Sequence, residues 1–358
     1  MHIQELSLND FMVFEKIHVS WSKNINIICG ANSTGKTVLL KSMYSLLYAQ
    51  NQTQKEAKDW QKREFGRKFA SVFRPDEEKL GNLVRKGSKS DQASGILAFD
   101  GQNNISFSFG KAAKVDMKKV DIQIEASDET NELNRRLPVY IPPKEIISAT
   151  ENFRAIYESY HIAFEETYND LARLLTLPTK RQIDSEMTKN ALEDLEKIVG
   201  GEIVAKNNCF YIKKDSEEYE MGLVSEGYRK ISTLIYLMLN GSLESGSVLF
   251  WDEPESNMNP MLIYTLVQVL MKLAEMGVQI FLSTHNYFIL QYFNLAAVYP
   301  EYNKAHIDIK FISLFKHEDS QNIEVECGTR VSELTHNKIM EEFDMLYNRE
   351  TDVLYAGN

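Results

Sequence analysis

The chain has 358 residues, 43% hydrophobic and 25% charged, with a formal net charge of -11 at pH 7. That length and apolar content suit one large domain or two and exclude a small stapled module. The acidic balance argues against a protein that coats nucleic acid over its whole surface, because polyanions repel one another at long range. Cys29, Cys209 and Cys327 are too few and too scattered for a disulfide framework or a zinc site, which points to a reducing, cytoplasmic setting. The opening MHIQELSLND carries acids where a signal peptide would be basic and then apolar, and no 18-residue apolar run calls for a membrane span.

From the N-terminus, IQELSL, FEKIHVSW and NINIICG alternate apolar and polar residues and read as strands. The third runs into ICGANSTGKT, and KTVLLKSMYSLLYAQ then spaces Val38, Leu39, Leu40, Met43, Leu46 and Leu47 as a helix does. Between strand and helix, Gly30, Ala31, Asn32, Ser33, Thr34, Gly35, Lys36 and Thr37 fill every fixed position of G-x-x-x-x-G-K-[ST]. In such a loop the backbone N–H groups curl around phosphate oxygens and the helix start presents its positive end. Lys36 adds a point charge, and the Thr37 hydroxyl can ligate magnesium. A glycine-rich turn before a helix is the plainer alternative.

Residues 51–90 hold eleven Lys or Arg against six Asp or Glu, a basic island in an acidic chain. A solvated helical face is the plain reading. The functional one is weak, sequence-independent nucleic-acid binding through Lys62, Arg63, Arg67 and Lys68. Short alternating segments between 91 and 125 predict an antiparallel β lobe, and LPVYIPP predicts a strand stopped by prolines. Residues 150–200 read as a helical insertion ending at Gly200 and Gly201, followed by a hairpin in EIVAKNNCFYIKK.

LVSEGYRKISTLIYLMLNG predicts a helix opening at Ser225 and closing at Gly241. Arg229 and Lys230 in its first turns oppose the helix dipole, which a phosphate docked at Ser225 and Gly227 would compensate. A capped core helix is the alternative. SVLFWDEPE then offers Asp252 at the end of an apolar strand as the carboxylate for a magnesium shell. Glu253, pointing away from Asp252 by strand alternation, becomes the group that polarises water. QIFLSTHN ends a further strand in Ser283, Thr284 and His285. A lone histidine is usually structural, but at the C-terminal edge of a strand in an α/β sheet His285 is placed to touch a γ-phosphate. Alternating strands and helices in this half imply a parallel sheet.

Taken together, the motifs resemble the ABC-class ATPases of the SMC, RecF and OLD-like group, in the order Walker A (30–37), signature-like segment (225–230), Walker B (248–253) and switch histidine (285). The resemblance covers most of residues 1 to about 300, and within the group YIPPKEIIS, VSEGYRK and WDEPESNMNP look most like the small ATPase subunits of Septu- or PARIS-like anti-phage systems. It implies an α/β ABC-type head: a mixed or parallel sheet with the phosphate loop, an antiparallel β lobe and a helical insertion. The parts fall at 1–149, 150–200 and 201–358. It further implies ATP and Mg2+ as cofactors and a homodimer closing on ATP, with Ser225 and Gly227 of one copy facing the γ-phosphate held by Lys36 of the other. A separate nuclease or toxin would then be the gated effector. Here VSEGYRK stands for the transporter LSGGQ, and Asn257 occupies the approximate D-loop position. A RecF-like repair ATPase without a toxic partner is the chief alternative; a transporter subunit and a non-hydrolysing scaffold are others. After His285 the remaining residues are expected to finish the core, so nucleic-acid cleavage is expected from a partner chain.

Overall fold

A computed structural model describes residues 2–53, 58–100, 104–115, 120–125, 136–160, 162–183, 185–317, 320 and 322–356. Strands β1 (Ile3–Phe11) and β2 (Phe14–Ser20) form a hairpin, and β3 (Ile25–Gly30) leads into helix α1 (Lys36–Thr53). Helix α2 (Lys58–Phe73) precedes β4 (Gln92–Phe99), β5 (Asn104–Gly110) and β6 (Val120–Glu125). These join the first hairpin in an antiparallel sheet ordered β2-β1-β4-β5-β6, the expected lobe.

The second sheet is assembled from distant parts of the chain. Strand β7 (Val139–Ile141) is followed by α3 (Phe153–Tyr160), α4 (Glu166–Leu175) and α5 (Glu186–Val199). The expected hairpin forms from β8 (Glu202–Lys206) and β9 (Cys209–Lys214), and β10 (Glu217–Glu220) beyond it adds a third antiparallel strand. Then come α6 (Glu226–Leu239), β11 (Val248–Asp252), α7 (Pro260–Glu275), β12 (Gln279–Ser283), α8 (Tyr287–Val298), β13 (Ile309–Lys316), β14 (Ile323–Gly328) and α9 (Lys338–Ala356). The order is β14-β13-β3-β12-β11-β7, parallel throughout except where β14 runs against β13.

The pleat of β3 divides the core. Ile25, Ile27 and Cys29 face a cluster built with helices α4 to α8, whereas Ile28 faces α1 and the antiparallel lobe. Strand β11 does the same with Leu249 and Trp251 against Phe250. Both faces of the parallel sheet are therefore dry, which is why its strands read as continuous apolar runs. Each large side chain buried there contributes about 1.5–3 kcal/mol. Residues 150–200 do form helices, and Leu171, Ala172, Leu192 and Leu195 belong to the same cluster as the sheet, so they pack as part of its core. No helix among the described residues is long and apolar enough to cross a membrane.

Candidate nucleotide site

The site lies at the C-terminal ends of β3, β11 and β12, three adjacent parallel strands whose residues after the last pairing are free to turn toward a ligand. Gly35 adopts φ +95°, and a Cβ there would stand 2.4 Å from Phe14 Cζ, so the loop closes only with glycine at this point. Ala31, Asn32 and Ser33 form its exposed crest, Ser33 itself at φ +64°. Lys36 is buried, and its Nζ donates to Gly30 O at 2.8 Å and Ala31 O at 2.9 Å. Burial lowers the Lys36 pKa, while the Glu253 and Asp252 carboxylates push it back up.

The metal carboxylate and the loop hydroxyl are brought together as the motifs predict. Thr37 Oγ1 donates to Asp252 Oδ2 at 2.8 Å. Tyr140 OH, from β7, donates to the same oxygen at 3.3 Å, and Ser283 Oγ donates to Oδ1. Burial raises the Asp252 pKa against the pull of the Ser283 and Thr37 hydroxyls. A hydroxyl and a carboxylate side by side, with an ammonium whose hydrogen bonds among the described residues are to loop carbonyls, is a donor set that fits a magnesium-bound polyphosphate: Thr37 and Asp252 would hold the cation, and Lys36 a phosphate.

Glu253 reaches its place by a different route from the one strand alternation suggests. Strand β11 ends at Asp252, and Glu253 takes φ +49°, uncommon for a residue with a Cβ. Its N–H donates to Ser283 O at 3.0 Å, so the turn is pinned to the neighbouring strand. Its carboxylate Oε1 lies 3.3 Å from His285 Nδ1, and both side chains are partly open to solvent. Such strain at a polar turn is the signature of a position over-determined by its surroundings.

A third carboxylate escaped notice in the sequence. Glu255 is buried, and its Oε1 accepts from Thr284 Oγ1 at 2.6 Å and from the His285 N–H at 3.2 Å. Its only signal was a second acid two residues past Glu253 in WDEPE, on a segment with no periodicity of its own. Tyr140 was hidden inside a short apolar strand whose alignment beside β11 no local pattern announces.

Other expectations need correction. Lys68 is buried and ion-paired with Asp170, with its ammonium 3.5 Å from the Tyr48 ring centre, so it cannot reach nucleic acid. Arg63 and Arg67 do lie on the exposed face of α2, and residues 54–57 of the basic island fall outside the described residues. Arg229 and Lys230 are also spoken for: Arg229 pairs with Glu145 at 2.9 Å, and Lys230 donates to the carbonyls of Pro254 and Ser256. No external anion is needed to offset them. Ser225 occupies the N-cap of α6 with extended backbone and no side-chain capping bond, leaving its hydroxyl exposed. Gly227 is buried, and a Cβ there would stand 2.6 Å from Leu262 Cδ2. Asn257 Nδ2 donates to Glu226 Oε2 at 3.0 Å within the same chain.

Comparison with protein families matches an AAA domain to residues 5–221, well over half of the sequence. The chain belongs to this AAA-domain family. A second family, described as AAA domain, putative AbiEii toxin, Type IV TA system, matches residues 181–291. DNA replication and repair protein RecF of Ligilactobacillus salivarius is 30% identical over 96 residues, 25% of this chain and 25% of that protein. RecF of Clostridium beijerinckii is 26% identical over 141 residues, 38% of this chain and 37% of that one. The chain thus aligns with well under two thirds of either relative. Solved SMC heads align over nearly the whole fold. The SMC head domain from Thermotoga maritima has a TM-score of 0.51 at 11% identity, covering 91% of this chain and 98% of that one. The Smc head with an extended coiled coil bound to the C-terminal domain of ScpA, derived from Pyrococcus furiosus, has a TM-score of 0.55 at 12% identity, covering 96% and 99%. At such identities the likeness speaks for the fold: an SMC-head-like α/β architecture with its mixed sheet and antiparallel lobe.

Proposed function

We propose that this chain is a cytoplasmic ATPase that binds Mg·ATP, closes on a second copy, hydrolyses the nucleotide and thereby gates a separate effector protein in anti-phage defence. The observation that carries the reading is the meeting of Thr37 and Asp252 beside Lys36, with the Glu253–His285 pair at the end of the neighbouring strand. Lys36 would hold the β and γ phosphates, Thr37 and Asp252 the cation, and Glu253 would take a proton from the attacking water while His285 orients it. Magnesium supplies charge neutralisation at the phosphates when bound.

Closure on a second copy is supported by the exposed Ser225 hydroxyl at a helix N-terminus, and by Leu223 and Met261 nearby, 82% and 84% exposed. Large apolar side chains that open, next to a dipole-positive helix end, suit an interface that traps a phosphate. The effector is argued from two names: a family description that includes a toxin, and SMC heads solved in complex with ScpA. The partial matches to RecF, a DNA replication and repair protein, support a second reading, a DNA-repair ATPase without a toxic partner, no more strongly than the first. A gene for a small nuclease or toxin beside this one favours the first, and its absence the second.

The decisive variant is Glu253→Gln, which keeps shape and loses the proton acceptor. It is expected to bind ATP, hydrolyse it about a hundredfold more slowly or worse, and accumulate as a dimer by size-exclusion chromatography with light scattering. A monomer at high protein and saturating ATP would sink the closure model.

A further inference from the structure

The start of α6 is fastened to the turn after β11 and to the first turn of α7 by three contacts. Glu226 accepts from Asn257, Gly227 sits against Leu262 with no room for a Cβ, and Lys230 reaches under the turn. Lys230 is 1% exposed, and its Nζ donates to Pro254 O at 3.3 Å and Ser256 O at 2.8 Å. These are the two carbonyls flanking Glu255. The Glu255 side chain, 5% exposed, grips the Thr284 hydroxyl and the His285 N–H. Its Oε2 has no hydrogen-bond partner among the described residues.

A carboxylate buried this deeply costs stability that two donors do not fully offset, and a hydrophobic residue would pack the same space more cheaply. That cost is offset where the carboxylate holds something in register. What it holds is the backbone that carries His285, whose Nδ1 stands 3.3 Å from Glu253. The grip at the other end belongs to the helix whose N-terminus carries Ser225.

We propose that Lys230 and Glu255 are positioning residues forming a relay: the seating of α6 fixes residues 254–256 through Lys230, and Glu255 transmits that seating to Thr284 and His285, aligning His285 with Glu253. The relay deepens the ATPase reading and rests on it. It links the surface proposed to meet the second copy with the groups proposed to act on water, through a path of about four residues. Closure that presses on Ser225 then reaches His285 without any change at the phosphate loop.

The test is steady-state hydrolysis and ATP affinity of E255A, E255Q, K230M and the K230M/E255A double variant, with K36A as the null. E255A is expected to lower kcat about tenfold while KM for ATP moves less than about twofold, a split that general destabilisation does not produce. E255Q, whose amide oxygen still accepts from Thr284 and His285, should recover most of that loss. Because the two residues act in series, the double variant should be no slower than the slower single. An E255A enzyme at the wild-type rate, a Gln variant no better than Ala, or losses that multiply in the double variant would each overturn the relay. If E255A does not fold, Thr284→Val removes the donor from the other side and carries the same expectations. A wild-type chain that neither binds nor hydrolyses ATP overturns the ATPase reading itself, and that result is read before any variant is compared.

Discussion

The loop between β3 and α1 and the start of α6 are built from the same parts and end up differently. Each sets a glycine where no Cβ fits, Gly35 and Gly227, close to a buried lysine that donates to two carbonyls. In both cases burial lowers the lysine pKa and nearby carboxylates oppose the shift. The distinction lies in whose carbonyls they are. Lys36 rests on its own loop, five and six residues away in sequence, so a phosphate can take the ammonium over without unfastening any other element. Lys230 rests on a turn 24 and 26 residues away and cannot be released without undoing a tertiary contact. Glycine and lysine beside a helix start therefore mark either a ligand cradle or an internal bolt, and the partner of the ammonium decides which.

Lys68 gives the most demanding test of that rule, because its partner is a buried charge. Removing it in Lys68→Met takes the direct ion-pair partner from buried Asp170, leaving the Tyr44 OH bond and the Arg173 guanidinium nearby. The expected loss is about 3–5 kcal/mol of stability by urea unfolding. The same variant should leave any nucleic-acid affinity unchanged, whereas Arg63→Glu with Arg67→Glu should weaken it; the reverse pattern would return Lys68 to the surface. Next in size is Lys36→Ala, expected to weaken ATP binding about a hundredfold by calorimetry with a smaller loss of stability than at Lys230, since the two bonds it loses stay within the loop and join no separate element. Lys230→Met should do the opposite: about 2 kcal/mol less stable as two carbonyls lose a charged donor, with ATP affinity within a few fold. Equal effects of the two substitutions on binding would break the comparison.

The smallest effect comes from the carboxylate beside Lys36. Folded Asp252 keeps its proton to higher pH than it does in the unfolded chain, so its ionisation costs the ligand-free protein stability as pH rises across that interval. Asp252→Asn should then raise Tm at neutral pH by roughly 1–3 °C while abolishing magnesium-dependent hydrolysis. The gain should shrink as the pH falls through about 4 and vanish well below it, where the carboxyl is neutral in both states. A variant less stable than wild type at pH 7 would mean the hydroxyls of Thr37 and Ser283 outweigh burial.

The elements and the phosphate loop were readable in the sequence because their signals are local. A strand ending at Gly30, five intervening residues closing on Gly35, and a helix opening at Lys36 and Thr37 specify one geometry, and β11 and β12 announce themselves as apolar runs ending in polar residues. The partners of those residues were not readable. Nothing near Lys68 foretells Asp170, 102 residues on, and nothing near Glu255 foretells the Thr284 hydroxyl. The same holds for Glu253, where the right residue was found through the wrong geometry: a left-handed turn held by Ser283 O, and not the pleat, aims its side chain. Periodicity tells which face is dry, and long-range pairing tells which charges meet.

The order of the parallel sheet also sets a schedule. Strand β3, which carries the phosphate loop, pairs on one side with β12 and on the other with β13, and both lie some 250 residues or more downstream. A ribosome has therefore made most of the chain before either neighbour of that strand exists. At a synthesis rate of about 5–20 residues per second, that interval lasts on the order of ten seconds or longer. The antiparallel lobe, whose strands all lie within the first 125 residues, is complete long before then. A nascent chain would thus acquire its lobe early and its capacity to hold a nucleotide among the last of its properties, so an arrested product lacking β12 should be partly folded yet blind to ATP.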